Sequence, residues 1–183
     1  MNLRSILFAC LAANGARAKL VRVACIGDSV TEGSKSDGQP WCKQIRDVLG
    51  RAQFLTANFG ESGKTVVKYA GSNTAYINSG KYNDWQAENE CNDASPYGPY
   101  AVGVISLGTN DAKKQNLPSK TTFVAEYKSL ITNIVEDLWD VGSDLKQLVL
   151  CSAVPIADEP ISQTNKGDWN EASKKWVKHL CGN

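Results

Sequence analysis

Hydrophobic positions in this chain fall into short β-prone runs, and most of those runs break abruptly into glycine and small polar residues. Leu20–Ile26 gives way to Gly27-Asp28-Ser29-Val30-Thr31-Glu32-Gly33. Phe54–Phe59 runs into Gly60-Glu61-Ser62-Gly63, and Ala101–Leu107 into Gly108-Thr109-Asn110-Asp111. Leu148–Val154 is a fourth such run, ended by Pro155. Short apolar runs bounded by turn residues read as buried strands. Between them the period changes to that of a helix. Trp41, Ile45, Val48 and Leu49 follow Pro40 at helical spacing and stop at Gly50, which predicts a helix between the first two strands. Val124, Tyr127, Ile131, Ile134, Val135 and Leu138 predict an amphipathic helix over Thr122–Asp140, with Gly142 as its C-terminal cap. Asp168 with Glu171 resembles a capping box that opens a last helix carrying Trp169, Ala172, Trp176, Val177 and Leu180.

The stretch Gly71–Pro99 keeps neither period, apart from a short predicted helix at Lys81–Glu90 around Trp85. So long an irregular segment is usually functional or disordered. Its aromatics Tyr76, Tyr82, Trp85 and Tyr97, with Tyr100 just beyond, either line a sugar or acyl pocket or fold the loop onto the domain. The order β-α-β-(loop and helix)-β-α-β-α predicts an α/β fold of three layers, a parallel sheet between two layers of helices. The loops beyond the carboxyl ends of such strands are where ligands bind, so the glycine-rich clusters share one rim.

The 183 residues, 42% of them hydrophobic, suit one domain with a sizeable core. Net charge is +1, with 20 basic and 19 acidic residues mixed along the chain, which leaves no electrostatic footprint for nucleic acid. Met1–Arg4 is a short basic start, Ile6–Ala13 an apolar run too brief to span a bilayer, and Ala16-Arg17-Ala18 a small-x-small site. Residues 1–18 are therefore expected to be a secretory signal peptide, with a single domain from 19 to 183; an ordinary N-terminal helix or a disordered leader is the alternative. Six cysteines are present. Cys10 lies in the expected leader. Cys25 and Cys151 fall in predicted strands and are expected to act as small buried side chains, leaving Cys42, Cys91 and Cys181 as disulfide candidates. No CxxC pair or His/Cys cluster suggests a metal.

The chemistry converges on Ser29. A serine hydroxyl is a weak nucleophile, needing a base and donors for the oxyanion formed on attack. In a tight strand-to-helix turn its Oγ is exposed and its own N–H is free to donate. Gly63 offers a second N–H where backbone can approach substrate, and Asn110 a side-chain amide. Each cluster alone is ordinary turn chemistry. Together, Gly27–Gly33, Asn58-Phe59-Gly60-Glu61-Ser62-Gly63 and Gly108–Asp111 resemble the three leading blocks of the SGNH (GDSL-type) hydrolase superfamily, over about Leu20 to Pro155. The wording is most similar to its secreted branch of sialate O-acetylesterase-like and carbohydrate-esterase members. The resemblance implies a flavodoxin-like sheet and a cofactor-free serine esterase. It would act on O-acyl, above all O-acetyl, esters of carbohydrate or lipid through an acyl-serine intermediate. Ser29 is then the nucleophile, with Gly63 and Asn110 in the oxyanion hole. The implied partner is a small-molecule ester, with no nucleic acid and no stable membrane insertion. Asp28 and Asp111 are expected to shape their turns.

One block is missing. The family's Asp-x-x-His, which supplies the base, has no counterpart. The chain's one histidine, His179, lies in Trp176-Val177-Lys178-His179-Leu180 without an aspartate three residues before it. On a charged helix it reads as a solvated surface residue. The sequence is thus expected to lack a last strand and the catalytic loop. A non-catalytic carbohydrate-binding or interaction protein that keeps the shell is the alternative. An α/β-hydrolase elbow, Gly-x-Ser-x-Gly, would require glycine where Thr31 stands, and no phosphate-binding glycine motif is present.

Overall fold

Alternation along the first strand decides the layering. In β1 (Val21–Gly27), Val23 and Cys25 face one side and Ala24 and Ile26 the other, all four at most 1% exposed. A strand buried on both faces belongs inside a parallel sheet. The computed structural model, which describes residues 20–34, 36–69, 74–90, 100–140 and 147–151 with Ala172 and Lys175, places it there. β1 lies between β2 (Phe54–Gly60) and β3 (Val102–Ser106), and β3 pairs in turn with β4 (Gln147–Cys151). All pairings are parallel and the order is β2-β1-β3-β4. This is the flavodoxin-like arrangement, with its switch point between β1 and β3.

The helices follow from the handedness of the crossovers. The β1-to-β2 connection runs one way across the sheet and the β2-to-β3 connection the other, so right-handed crossovers put their helices on opposite faces. Accordingly α2 (Trp41–Leu49) covers the Val23 and Cys25 face, where Cys42, Phe54, Val102 and Val104 complete a small core. The helices α3 (Gly80–Glu90) and α4 (Lys120–Asp140) cover the Ala24 and Ile26 face. There Tyr76, Tyr82, Trp85 and Tyr100, at most 4% exposed, join Ile105, Phe123, Leu130 and Ile134. Of the two readings of these aromatics, the structure takes the second: they fold the irregular segment onto the domain. Tyr97 lies outside the described residues.

Element boundaries agree with the apolar pattern to within two residues where they are described. The long helix begins at Lys120 rather than Thr122, because the Ser119 hydroxyl accepts the Thr122 N–H at 3.1 Å and caps it earlier. Two expectations about cysteines are corrected. Cys25 is not an unpaired apolar filler; it is disulfide-bonded to Cys42, with Cα atoms 6.0 Å apart. Its side chain points at the layer that α2 occupies, and Cys42 sits on the buried face of that helix. Cys151, the last residue of β4, is a free and exposed thiol, not a buried one. Cys91, Cys181, Gly142 and the last predicted helix, apart from Ala172 and Lys175, lie outside the described residues.

Candidate active site

A single row across the sheet sets the rim. Gly27 is in register with Gly60 of β2 and Ser106 of β3, and Ser106 with Cys151 of β4. Ser29 therefore stands two residues beyond the row, Gly63 three and Asn110 four. The rim flanks the switch point of the strand order.

Ser29 opens a short helix, α1 (Ser29–Glu32), and is partly exposed. Asp28 is its N-cap: the carboxylate Oδ1 accepts the Val30 N–H at 2.9 Å. The turn is tight. A Cβ on Gly27 would lie 2.1 Å from Thr31 Oγ1 and 2.5 Å from the Ser106 carbonyl, and one on Gly60 would lie 2.1 Å from the Glu32 nitrogen. Glycine at both positions lets α1 rest directly on the strand ends. The Asn58 amide secures it further, donating to the Thr31 carbonyl at 2.8 Å while its oxygen accepts the Gly60 N–H at 2.9 Å. From the other layer, Trp41 Nε1 donates to Thr31 Oγ1 at 3.3 Å.

The second and third loops are tied to the first and to each other. The Glu61 N–H donates to the Gly27 carbonyl at 3.0 Å, and the Ser62 hydroxyl donates to the Glu32 carboxylate. Gly63 has φ +79°, left-handed backbone that favours glycine, and no atom lies within 4 Å of where a Cβ would stand. Its glycine is demanded by conformation, and the space beside it is open. Asn110 is 5% exposed, and its Nδ2 donates one hydrogen to the Lys64 carbonyl at 2.9 Å. A primary amide has two N–H bonds, so this contact orients the second. Thus the three loops carrying Ser29, Gly63 and Asn110 are joined into one hydrogen-bonded rim.

Neither aspartate is a free base. Asp111 is fully buried and accepts from the Val66 and Val67 N–H groups at 2.9 and 3.0 Å and from the Tyr69 hydroxyl at 3.1 Å. Burial raises its pKa, against the pull of those donors. Asp28 is also fully buried, and among the described residues its Oδ2 has no hydrogen-bond partner. Burial pushes its pKa up to about 6; the Val30 N–H opposes this, the neighbouring Asp111 adds to it and Lys113 opposes it. Asp28 therefore shapes its own turn, as the sequence suggests, whereas Asp111 is bonded to a segment outside its turn. The reach of Asp111 across more than 40 residues to Val66, Val67 and Tyr69 is a feature that local patterning does not signal. His179 lies outside the described residues. Among the described residues no group of acidic, cysteine or histidine side chains is arranged to hold a metal ion, and no helix is long and apolar enough to cross a membrane.

Residues 25–183 match the sequence profile of the GDSL-like lipase/acylhydrolase family. An acetylxylan esterase from Xylanibacter ruminicola is 30% identical over 159 residues, which are 82% of this chain and 30% of that protein. The chain thus spans under a third of the length of that curated relative. Among solved structures, the carbohydrate acetylesterase Est24 from Sinorhizobium meliloti superposes with a TM-score of 0.65 at 19% identity, over 88% of this chain and 76% of that one. The native aryl esterase of M. smegmatis superposes with a TM-score of 0.61 at 22% identity, over 87% and 75% of the two chains. These superpositions establish a shared fold.

Proposed function

Because the chain belongs to the GDSL-like lipase/acylhydrolase family, we propose that it hydrolyses O-acetyl esters of carbohydrates through an acyl-Ser29 intermediate. The observation that carries this reading is the orientation of the Asn110 amide by the Lys64 carbonyl, one residue beyond Gly63, on the rim that also bears Ser29. Ser29 Oγ attacks the ester carbonyl carbon and loses its proton to a base. The carbonyl oxygen becomes an oxyanion that receives N–H bonds from Ser29, Gly63 and the second Asn110 hydrogen. Collapse expels the sugar alcohol, which takes a proton, and water then releases acetate and restores the serine. Donors fixed before the charge develops cost no reorganisation when it appears. The Xylanibacter relative is an acetylxylan esterase and Est24 a carbohydrate acetylesterase, which supports acetyl and carbohydrate as the two halves of the ester.

The Cys25–Cys42 disulfide supports a second part of the reading, that residues 1–18 direct the protein into an oxidising secretory compartment, where such bonds persist.

The test is hydrolysis of 4-nitrophenyl acetate and of acetylated xylo-oligosaccharides by the purified protein and by Ser29→Ala. Turnover that vanishes in the variant, with fluorophosphonate labelling of Ser29 in the parent, upholds the proposal. Turnover retained by Ser29→Ala removes Ser29 as nucleophile. A folded, unlabelled protein that still binds the oligosaccharide points instead to a non-catalytic shell.

A further inference from the structure

Two adjacent residues of the third loop grip the second loop in different ways. Asn110 holds it with a donor at the Lys64 carbonyl, and Asp111 with an acceptor at the Val66 and Val67 N–H groups. Those two valines are 5% exposed, so their N–H groups require acceptors, and the carboxylate fills the place that a neighbouring strand would otherwise take. Its two oxygens divide the work: Oδ2 accepts from Val66, Oδ1 from Val67 and from the Tyr69 hydroxyl. Asp111 itself is fixed by the turn that closes from the Ala112 N–H to the Gly108 carbonyl at 3.1 Å. A rigid four-bond clamp therefore sets the separation between the Asn110 amide and the segment that begins at Gly63.

We infer that Asp111 is a positioning residue for the oxyanion hole, fixing the Gly63 N–H relative to the Asn110 amide. The inference rests on the esterase reading above. Three donors are committed to its oxygens, so it organises the hole from behind.

Asp111→Asn tests this sharply. Whichever way the new amide is turned, its NH2 faces either the Val66 or the Val67 N–H, donor against donor, while side-chain volume is unchanged. A misplacement near 1 Å costs up to about 100-fold in rate, so kcat is expected to fall by about 10- to 100-fold. KM should stay within about threefold, since the loss is confined to the transition state. Fluorophosphonate labelling of Ser29 should slow in parallel, because the adduct oxygen occupies the same hole. A role confined to holding the loop would lower the thermal midpoint without that split. Tyr69→Phe, which deletes one hydroxyl at a partly buried position, serves if Asp111→Asn fails to fold; its kcat should drop by a few-fold, because one of the three donors on the carboxylate is removed and the two backbone donors stay. Folded Asp111→Asn, or Tyr69→Phe in its place, with kcat and labelling at the parent's values overturns the inference alone. A parent protein with no Ser29-dependent hydrolysis overturns the esterase reading and this inference together.

Discussion

Asp28 offers a test of the electrostatics beside Ser29 that is independent of turnover. Its carboxyl is fully buried, one oxygen caps α1 and the other has no partner among the described residues. Burial lifts its pKa from 3.8 to about 6. A raised pKa means that the folded state binds the proton more tightly than the unfolded chain does. The corresponding stability is fully present below pH 3.8, is lost as the pH rises through about 6, and is absent above that. That rise corresponds to about 3 kcal/mol between the fully protonated and fully ionised limits. In Asp28→Asn the amide oxygen still accepts the Val30 N–H, since Asn and Asp are equally good N-caps, but the proton linkage is gone. Any cost of burying the new NH2 is independent of pH and cancels from the comparison. Urea unfolding of both proteins from pH 4.5 to pH 8 should therefore show the parent losing ~2 kcal/mol of stability relative to the variant, part of the linkage being already spent at pH 4.5. A difference that stays flat across this range, or one of opposite sign, would refute the argument that Asp28 titrates as a buried carboxyl.

Three further outcomes follow from the geometry. Asn110→Ala should lower kcat by ~10²–10³ with the fold intact, measured with 4-nitrophenyl acetate; an unchanged kcat would confine the amide to its bond with the Lys64 carbonyl. Gly60→Ala and Gly63→Ala should behave differently. The first drives a Cβ to within 2.1 Å of the Glu32 nitrogen, backbone that cannot yield, and should cost ~3 kcal/mol or more. The second meets no atom and costs only ~1–2 kcal/mol for a left-handed non-glycine, so thermal midpoints that fail to rank them this way would contradict the packing of α1 on β2. Cys42→Ala removes a cross-link spanning 17 residues; it should cost ~3 kcal/mol in denaturant unfolding, and undiminished stability would show that the bond does not form.

What the sequence reveals and what it hides divide by range. Ser29, Gly63 and Asn110 were recognisable because each follows its own strand within a few residues, so local pattern locates all three on one rim. The disulfide was not, because pairing Cys25 with Cys42 requires knowing which face of β1 the helix covers, and that depends on where β3 comes to lie. The aromatics of the irregular segment were equally ambiguous, since Tyr76, Tyr82 and Trp85 carry too few apolar neighbours in sequence to declare a core face. Only contact with Ile105, Phe123 and Ile134, contributed from β3 and α4, assigns them.

The same division applies within the site. A helix of four residues such as α1 cannot sustain itself, because nucleation alone exhausts its hydrogen bonds. The direction of Ser29 is therefore determined by what surrounds α1: two glycines that admit it, the Asn58 amide beneath it, the Trp41 indole beside it and the Asp28 cap. Of these, only Gly27 and Asp28 belong to the Gly27–Gly33 block. Asn58 and Gly60 come with the second block and Trp41 with a helix that resembles a spacer. Substitutions at Asn58 or Trp41 should therefore be felt at Ser29 even though neither residue carries chemistry. The Ser29 turn is thus a property of β1, β2 and α2 together, stapled by a disulfide that starts two residues before the strand ends.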